Sequence, residues 1–172
     1  MQYMMIDFLK NSILRHLEET ELYLKTLQDL KGETLEDLMK KDVIKPDEIL
    51  FKIPAEGARP LGEVILHMIR SLEYYVRGIM NNHWEALPYS ITDFTTVPEI
   101  VNLYQNTAKK FEKYLENLSI DKLNEIVTDF SRPASKAELL LEMIEHSIHH
   151  RGQLSVYFRL LVVEPPRIKY II

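Results

Sequence analysis

The sequence contains no cysteine, which excludes disulfide bonds, thiolate metal sites and a cysteine nucleophile. It has only 5 glycines and 8 prolines among 172 residues, so it is neither collagen-like nor of low complexity. Because 46% of the residues are hydrophobic and the net charge is only −5, a mainly disordered chain is excluded as well. The length fits one globular domain, in which any tightly held metal would need His, Asp or Glu ligands.

Long runs of one chemical character are also missing. No stretch approaches the ~20 apolar residues that span a bilayer, and no basic run offers the surface that nucleic acid requires. The apolar start, Met1 to Ile6, is interrupted by Asp7 and lacks the basic leader and cleavage site of a signal peptide. These absences predict a cytoplasmic protein with no membrane or nucleic-acid partner.

Apolar residues recur at helical spacing in four stretches, and strand-like alternation is weak. Steps of three and four residues keep apolar side chains on one helix face, so each stretch predicts an amphipathic helix of about 20 to 28 residues. Four such helices predict an all-α fold, a four-helix bundle. The predicted core faces are Ile6, Leu9, Ile13, Leu17, Thr20, Leu24 and Leu27; Leu61, Ile65, Met68, Leu72, Val76 and Ile79; Val97, Val101, Tyr104, Ala108, Phe111, Leu115 and Leu118; and Leu139, Met143, His146, His150, Gln153, Tyr157 and Leu160.

Local signals predict several helix ends. Residues 96–99 and 135–138 each show the S/T-x-x-E pattern of a capping box, which places the starts of the third and fourth helices there. The proline pair at 165–166 predicts that the fourth helix ends near Val163, since proline cannot continue a helix. Gly32 is a plausible stop signal for the first helix.

The connections are long for a simple up-and-down bundle. Residues 31–60 separate the first two helices and allow a short helix at Leu35 to Lys41. Residues 81–96 separate the second and third helices and could reach about 50 Å when extended, enough to travel the length of a helix. Crossover links are therefore allowed, and the pattern alone leaves the topology open. Ile49 to Ile53 could be extended, but one short segment does not make a sheet.

The fourth helix carries the residues that point to chemistry. His146 and His150 stand four residues apart, so their side chains project from the same face. That face is the predicted core stripe, where an imidazole without a hydrogen-bond partner is costly. One divalent metal ion would satisfy both nitrogens. Two alternatives stay open: the histidines could bond to buried carboxylates, or the helix could turn them toward solvent.

A metal site needs a third ligand, and His67 in the second helix is the best candidate. On an ideal helical wheel it lies about 140° from the centre of that helix's apolar face, beside the small residues Ser71 and Gly78. Small neighbours could let another helix approach there. His16, at the border of the first helix's core face, is a weaker ligand candidate, and His83 is interpreted as a loop histidine.

Three further residues on the fourth helix could support such a site. Glu142 lies one turn before His146 and could hydrogen-bond a ligand histidine or act as a base, although a glutamate at the solvated border of the helix is the favoured interpretation. Gln153 could orient a ligand or a water. His149 projects about 60° off the stripe, so it could support a ligand, contact a substrate or be merely exposed.

The residues around these histidines resemble a known family. The segment 146–153, His-Ser-Ile-His-His-Arg-Gly-Gln, resembles the H-x-x-x-H-R-G-Q motif on the last helix of the DinB/YfiT-like superfamily. Residues 61–67, followed by Tyr74 and Tyr75, are similar to that family's second helix with its single ligand histidine. Residues 160–166 are similar to its closing leucine pair and double proline.

The resemblance implies one DinB-like domain over residues 1–172, a four-helix bundle with long crossover connections in an up-down-down-up arrangement. It also implies a divalent ion, zinc or nickel most often, held by His67, His146 and His150. Three histidines leave coordination positions open, as in catalytic sites. The family's characterised members are S-transferases and isomerases that use a low-molecular-weight thiol, so thiol-dependent transfer to a small-molecule substrate is the leading expectation.

Two other functions stay open: hydrolysis by a metal-bound water, and a non-catalytic metal-binding or damage-response bundle that acts through protein interactions. The family's members are often homodimers. This chain departs from the family's pattern at Val162, where glycine is common, and at Lys169-Tyr170, where Asp-Tyr is common. Both departures lie in the tail, whose apolar residues could serve a dimer or cap the bundle.

Overall fold

The chain folds around four long α-helices, and the computed structural model describes residues 2–30 and 46–168. The elements in chain order are α1 (Gln2–Gln28), a 3₁₀-helix (Pro46–Phe51), α2 (Leu61–Asn81), α3 (Val97–Glu116), α4 (Ile120–Asn124), β1 (Ile126–Val127), β2 (Ala134–Ser135) and α5 (Lys136–Leu160). The two short strands pair antiparallel, with Ile126 opposite Ser135. The expectations for Gly32, for Leu35 to Lys41 and for the tail from Lys169 onward lie outside the described residues.

Side-chain contacts fix the directions of α1, α3 and α5. Near the start of α1, Lys10 Nζ donates to the Glu116 carbonyl at the end of α3 (3.4 Å). Farther along α1, the Leu17 carbonyl accepts from Tyr104 Oη, nearer the start of α3 (2.6 Å). These two helices are therefore antiparallel. Helix α5 runs parallel to α1, since Arg151 reaches the His16 region and Ser155, one turn later, bonds Tyr23 (2.6 Å).

Helix α2 runs antiparallel to α5. The imidazole ring of His67 on α2 packs on that of His150 on α5, with the ring centroids 4.8 Å apart. Two turns later Tyr75 Oη donates to Glu142, which precedes His150 on α5 (3.4 Å). Helices α2 and α3 therefore point the same way, against α1 and α5, and the up-down-down-up arrangement of an all-α bundle is confirmed. The parallel pair α2 and α3 explains why the connection between them is long.

The predicted core faces of α2 and α3 are confirmed at every position, including Leu118 just beyond α3. In α1 all but the half-buried Leu9 are buried. The predicted face of α5 is wrong at Leu160, which is 53% exposed. Because α5 packs on both α1 and α2, its buried surface is wider than one stripe and is completed by Leu140, Ile144, Leu154 and Phe158.

Both predicted capping boxes are present. Thr96 Oγ1 accepts from the Glu99 amide at the start of α3, and Ser135 Oγ accepts from the Glu138 amide at the start of α5. The segment that could be extended instead begins as a 3₁₀-helix, in which Ile49 and Leu50 are buried. Helix α4 and the two-residue strand pair carry too little periodicity to be predicted.

Helix α5 ends at Leu160, three residues earlier than expected. Val162 adopts a left-handed backbone (φ 61°), its amide donates to the Arg159 carbonyl, and the Val163 amide donates to the Phe158 carbonyl (2.7 Å). This Schellman-type turn closes the helix before the prolines are reached, and Val163 is buried beneath it. Glycine usually fills the left-handed position, so valine gave no signal for the stop.

The crossover between α2 and α3 packs against small residues of α2. A side chain at Gly78 would lie 2.3 Å from the ring of Trp84, and one at Gly62 would lie 2.6 Å from Ile91. The small residues of α2 therefore receive the returning crossover, which corrects the expectation that Gly78 lets another helix approach. None of the helices described here is long and apolar enough to cross a membrane.

Candidate metal centre

The antiparallel packing of α2 on α5 brings three histidines together. The ring centroids of His67 lie 5.3 Å from His146 and 4.8 Å from His150, and those of His146 and His150 are 4.3 Å apart. Each ring offers a nitrogen, and these nitrogens lie within 4.8 Å of one another. The structure thus joins the three residues that the sequence singles out, including His67, because α2 uses a second face to contact α5.

The spacing of the nitrogens is close to what one metal ion requires. A tetrahedral ion with bonds of about 2.0–2.1 Å holds its ligand nitrogens about 3.3 Å apart. The Nε2 atoms of His146 and His150 already stand 3.1 Å apart. All three residues are buried or half-buried. The cluster could therefore hold a metal ion.

Gln153 sets the proton on His150. Its Oε1 lies 2.9 Å from His150 Nδ1, and because an amide oxygen can only accept, Nδ1 carries the hydrogen. The lone pair of His150 then resides on Nε2, which points to His146. This is the outer hydrogen bond by which proteins orient ligand histidines.

Burial keeps the cluster neutral. The pKa of His146 is lowered to about 4, chiefly because the ring is desolvated and secondarily because His150 and His67 are close. Desolvation also lowers the pKa of His67 and of His150, and His150 adds to the effect on His67. A neutral imidazole has one nitrogen lone pair free near neutral pH, which is the state that a metal ion requires.

The other candidates on α5 lie outside the cluster. His149 is exposed and touches only the edge of the site, with its ring centroid 5.1 Å from that of His150. Glu142 bonds Tyr75 (3.4 Å) and forms an ion pair with Arg132. Its carboxylate therefore bonds groups other than the three imidazole rings, which agrees with the favoured interpretation of Glu142 as a glutamate at the border of the helix.

His16 belongs to a second polar group, which sequence reasoning missed. Arg151 is 5% exposed and donates to His16 Nδ1 (2.7 Å), Glu19 Oε2 (2.8 Å) and Thr20 Oγ1 (3.2 Å). The sequence did contain a signal that Arg151 is buried. It stands seven residues, or about two helical turns, from both Ile144 and Phe158, on the face that is buried against α1. His83 bonds Arg77 and Glu85 at the surface, as expected of a loop histidine.

A cleft of about 450 Å³ adjoins the cluster, and His146 forms part of its wall. Tyr74, Tyr75, Phe130 and Leu87 supply most of the remaining wall. Trp84 supports it from the side, with its ring centroid 4.8 Å from that of Phe130. The volume lies in the range of small-molecule sites, so a ligand in the cleft would contact one of the three histidines.

Comparisons with known proteins place these features in a family. The model of the DinB superfamily matches residues 18–154. The chain is 28% identical over 119 residues to the uncharacterized protein YjoA of Bacillus subtilis, an alignment that covers 67% of this chain and 75% of YjoA.

Solved structures show the same fold. A DinB-like protein of Bacillus subtilis, YjoA, superposes with a TM-score of 0.67 at 20% identity, over 95% of this chain and 99% of that one. A DinB-like protein of Bacillus cereus superposes with a TM-score of 0.64 at 24% identity, over 88% and 91%. A conserved protein of Enterococcus faecalis gives 0.59 at 14% identity, over 91% and 96%.

Proposed function

The chain belongs to the DinB superfamily, and we propose that it is a metal-dependent enzyme whose divalent ion is held by His67, His146 and His150. The observation that carries this proposal is the convergence of three neutral imidazoles from two helices, with ligating nitrogens within 4.8 Å. Zinc and nickel suit an all-nitrogen site of this kind. A bound divalent ion would supply Lewis acidity there.

The site is proposed to be open to an exogenous molecule. Among the described residues, the cluster includes no fourth His, Asp or Glu. Glu142 is engaged by Arg132 and Tyr75, and His16 by Arg151. Three protein ligands with a remaining free position are the pattern of a reactive site, whereas a structural site is closed by four.

The cleft beside His146 is the proposed place for a small-molecule substrate. Its wall is mainly aromatic and aliphatic. Arg70, which lines the cleft, is paired with Glu63 (3.4 Å), and Glu142, which bonds Tyr75 of the wall, is paired with Arg132. The cleft therefore favours an uncharged, apolar group, which stacking on the tyrosine and phenylalanine rings would orient.

Thiol-dependent S-transfer is the proposed reaction. The sulfur of a low-molecular-weight thiol would donate an electron pair to an electrophilic carbon in the cleft, the leaving group would depart with its bonding pair, and the thiol proton would go to solvent. Hydrolysis is the second candidate reaction, because a divalent ion at the site would supply the Lewis acidity that activates water. The nearby carboxylate of Glu142 is paired with Arg132. Tyr75 keeps its proton, since burial and Glu142 raise its pKa, and that proton is donated to Glu142.

Elemental analysis and calorimetric titration test the metal site. Purified protein is expected to bind one zinc or nickel ion per chain. H146A and H150A each leave only two ligand histidines, so each is expected to weaken metal binding at least about 100-fold. H149A is the matched control, since His149 is on the same helix but exposed. Equal affinity in H146A and wild type would refute the assignment.

Activity is tested by conjugation of a thiol to an uncharged aromatic electrophile, before and after chelation of the metal. Loss of conjugation on chelation, with recovery on adding metal back, is the expected result. Conjugation that survives chelation would overturn the proposal. Full metal binding without turnover of any thiol or ester would favour a non-catalytic bundle instead.

A further inference from the structure

Three hydroxyl-bearing side chains of α2 that line the cleft follow His67 on the same face of the helix. Ser71, Tyr74 and Tyr75 stand four, seven and eight residues after His67, and the four side chains fall within about 100° of the helix circumference. Ser71 comes first, about 6 Å along the helix axis from His67, and the two tyrosines follow about one turn later. Along α2, Ser71 therefore carries the cleft hydroxyl nearest to the candidate metal centre.

The packing of α2 on α5 places Ser71 opposite His146. The ring of His67 packs on that of His150 (centroids 4.8 Å apart), and two turns later Tyr75 bonds a residue of α5 that lies two turns before His150 (3.4 Å). Because the two helices are antiparallel, the residue midway between the first pair and the second is Ser71 on α2 and His146 on α5. Both line the cleft of about 450 Å³, so a molecule that contacts His146 there also meets Ser71.

The Ser71 hydroxyl has no hydrogen-bond partner among residues 2–30 and 46–168. Serine and threonine hydroxyls inside helices often bond the carbonyl four residues earlier. Five helix hydroxyls of this protein do so, those of Thr20, Thr26, Thr107, Ser147 and Ser155. Ser71 is half-buried in the cleft wall without such a bond, so its hydroxyl is available to a ligand.

The other polar groups of α2 in the cleft wall are engaged or lie farther from His67. Arg70 is paired with Glu63 (3.4 Å), and Tyr75 donates to a carboxylate of α5 (3.4 Å). Tyr74 packs its ring on the aromatic cluster beside the cleft, one turn beyond Ser71. The rest of the wall is aromatic and aliphatic, and a hydrogen bond is stronger in such surroundings than in water.

We propose that the Ser71 hydroxyl donates a hydrogen bond to a carbonyl oxygen of the electrophile, so that the cleft selects aromatic electrophiles with a carbonyl beside the reacting carbon. This inference rests on the proposed function. A carbonyl is an uncharged acceptor, as the cleft favours, and it also activates the adjoining carbon toward a thiol. A compound without the acceptor would leave the hydroxyl unpaired in an apolar cleft, and sites of this kind discriminate strongly against such analogues.

The reaction is a substitution at the carbon next to the carbonyl. The thiol sulfur forms a bond to that carbon, the bond to the leaving group breaks, the leaving group departs with the bonding pair, and the thiol proton goes to solvent. Negative charge increases on the carbonyl oxygen as the sulfur attacks. A hydroxyl donor that is already in place at that oxygen stabilises this charge.

Binding of unreactive ligands to the metal-free full chain tests the hydrogen bond without any turnover. Acetophenone and ethylbenzene differ only in the carbonyl, which is a methylene in ethylbenzene. In ¹H–¹⁵N NMR titrations, S71A is expected to weaken acetophenone binding about 3- to 10-fold and to leave ethylbenzene binding unchanged. Y74F is the matched control, because it removes the hydroxyl one turn farther along α2, and it should change neither affinity.

Conjugation of a thiol to phenacyl chloride and to benzyl chloride by the zinc-loaded protein extends the test to the reaction. S71A is expected to lower kcat/KM for phenacyl chloride at least about tenfold, with little change for benzyl chloride. Zinc affinity and the urea midpoint should be unchanged, since a loss of packing would alter them.

The outcomes separate this inference from the proposed function. Equal effects of S71A on the ketone and the hydrocarbon, or a selective loss for acetophenone in Y74F and not in S71A, would overturn the role of Ser71. S71A that conjugates phenacyl chloride as well as wild type does would also overturn that role, while the proposed function stands. Selective loss of acetophenone binding in S71A, in a protein that conjugates neither chloride, would support the hydrogen bond and contradict the proposed reaction.

Discussion

His150 and Arg151 are neighbours on α5, yet they enter polar groups of opposite character. His150 is one of three neutral rings that meet beside a cleft, and the Gln153 amide orients it. Arg151 closes on Glu19, Thr20 and His16 in a buried group where its guanidinium donates to three side chains. The first group consists of neutral side chains, whereas the second contains a guanidinium cation and a carboxylate.

The difference shows how one helix serves two purposes. A buried charge is tolerable when it is paired and bonded, and here the pair also joins α5 to α1. Three neutral imidazoles form no ion pair with one another, and their nitrogens are close enough that they could hold a metal ion. The variants below alter one group while leaving the other intact, and the largest effect is expected first.

Replacing Arg151 should cause the greatest loss of stability. R151M removes the buried partner of Glu19, which is 8% exposed and keeps only Arg15 (3.7 Å) and His16 (3.3 Å) as partners. Loss of the partner of a buried charge costs about 3–5 kcal/mol. Urea unfolding of the metal-free protein measures the loss. The double variant E19Q/R151M should recover part of the lost stability, since the buried carboxylate of Glu19 is then replaced by a neutral amide. A loss below about 1 kcal/mol would show that the buried group around Arg151 does not hold α1 to α5.

Replacing Gln153 should weaken metal binding by the three histidines and leave the buried group around Arg151 intact. Q153A removes the hydrogen bond to His150 Nδ1, and loss of such a bond typically weakens metal affinity about 10- to 100-fold. Calorimetric titration with zinc measures the change. Q105A is the control, because Gln105 bonds Glu21 far from the cluster. Equal affinity in Q153A and wild type would mean that Gln153 does not orient the ring.

The smallest effect concerns pH and His16. Burial, and then the charge of Arg151, lower the pKa of His16 below its usual 6.5. The unfolded chain therefore takes up a proton at this residue first as pH falls below 6.5, so the free energy of unfolding declines with acidification. H16Q should show a shallower decline in metal-free protein between neutral pH and about pH 5. Parallel curves for H16Q and wild type would contradict the assignment.

Sequence periodicity predicted the four long helices because burial on one face dictates it, and every predicted core position of α2 and α3 is buried. It was less informative for α5, which is buried on two sides. The spacing of His146 and His150 predicted them as metal ligands. The orientation of His67 depends on how α2 packs on α5, and a helical wheel contains no information on tertiary packing. Arg151 was missed because a charged side chain on a core face looks like an interruption until its partners on α1 are known.

Trp84 is the chain's single tryptophan, and it packs with Phe130 and Tyr74 beside the cleft. Its emission thus originates at one known place, so the untreated protein already carries an optical probe. Quenching by nickel or by an aromatic compound would report occupancy there in real time, without any label.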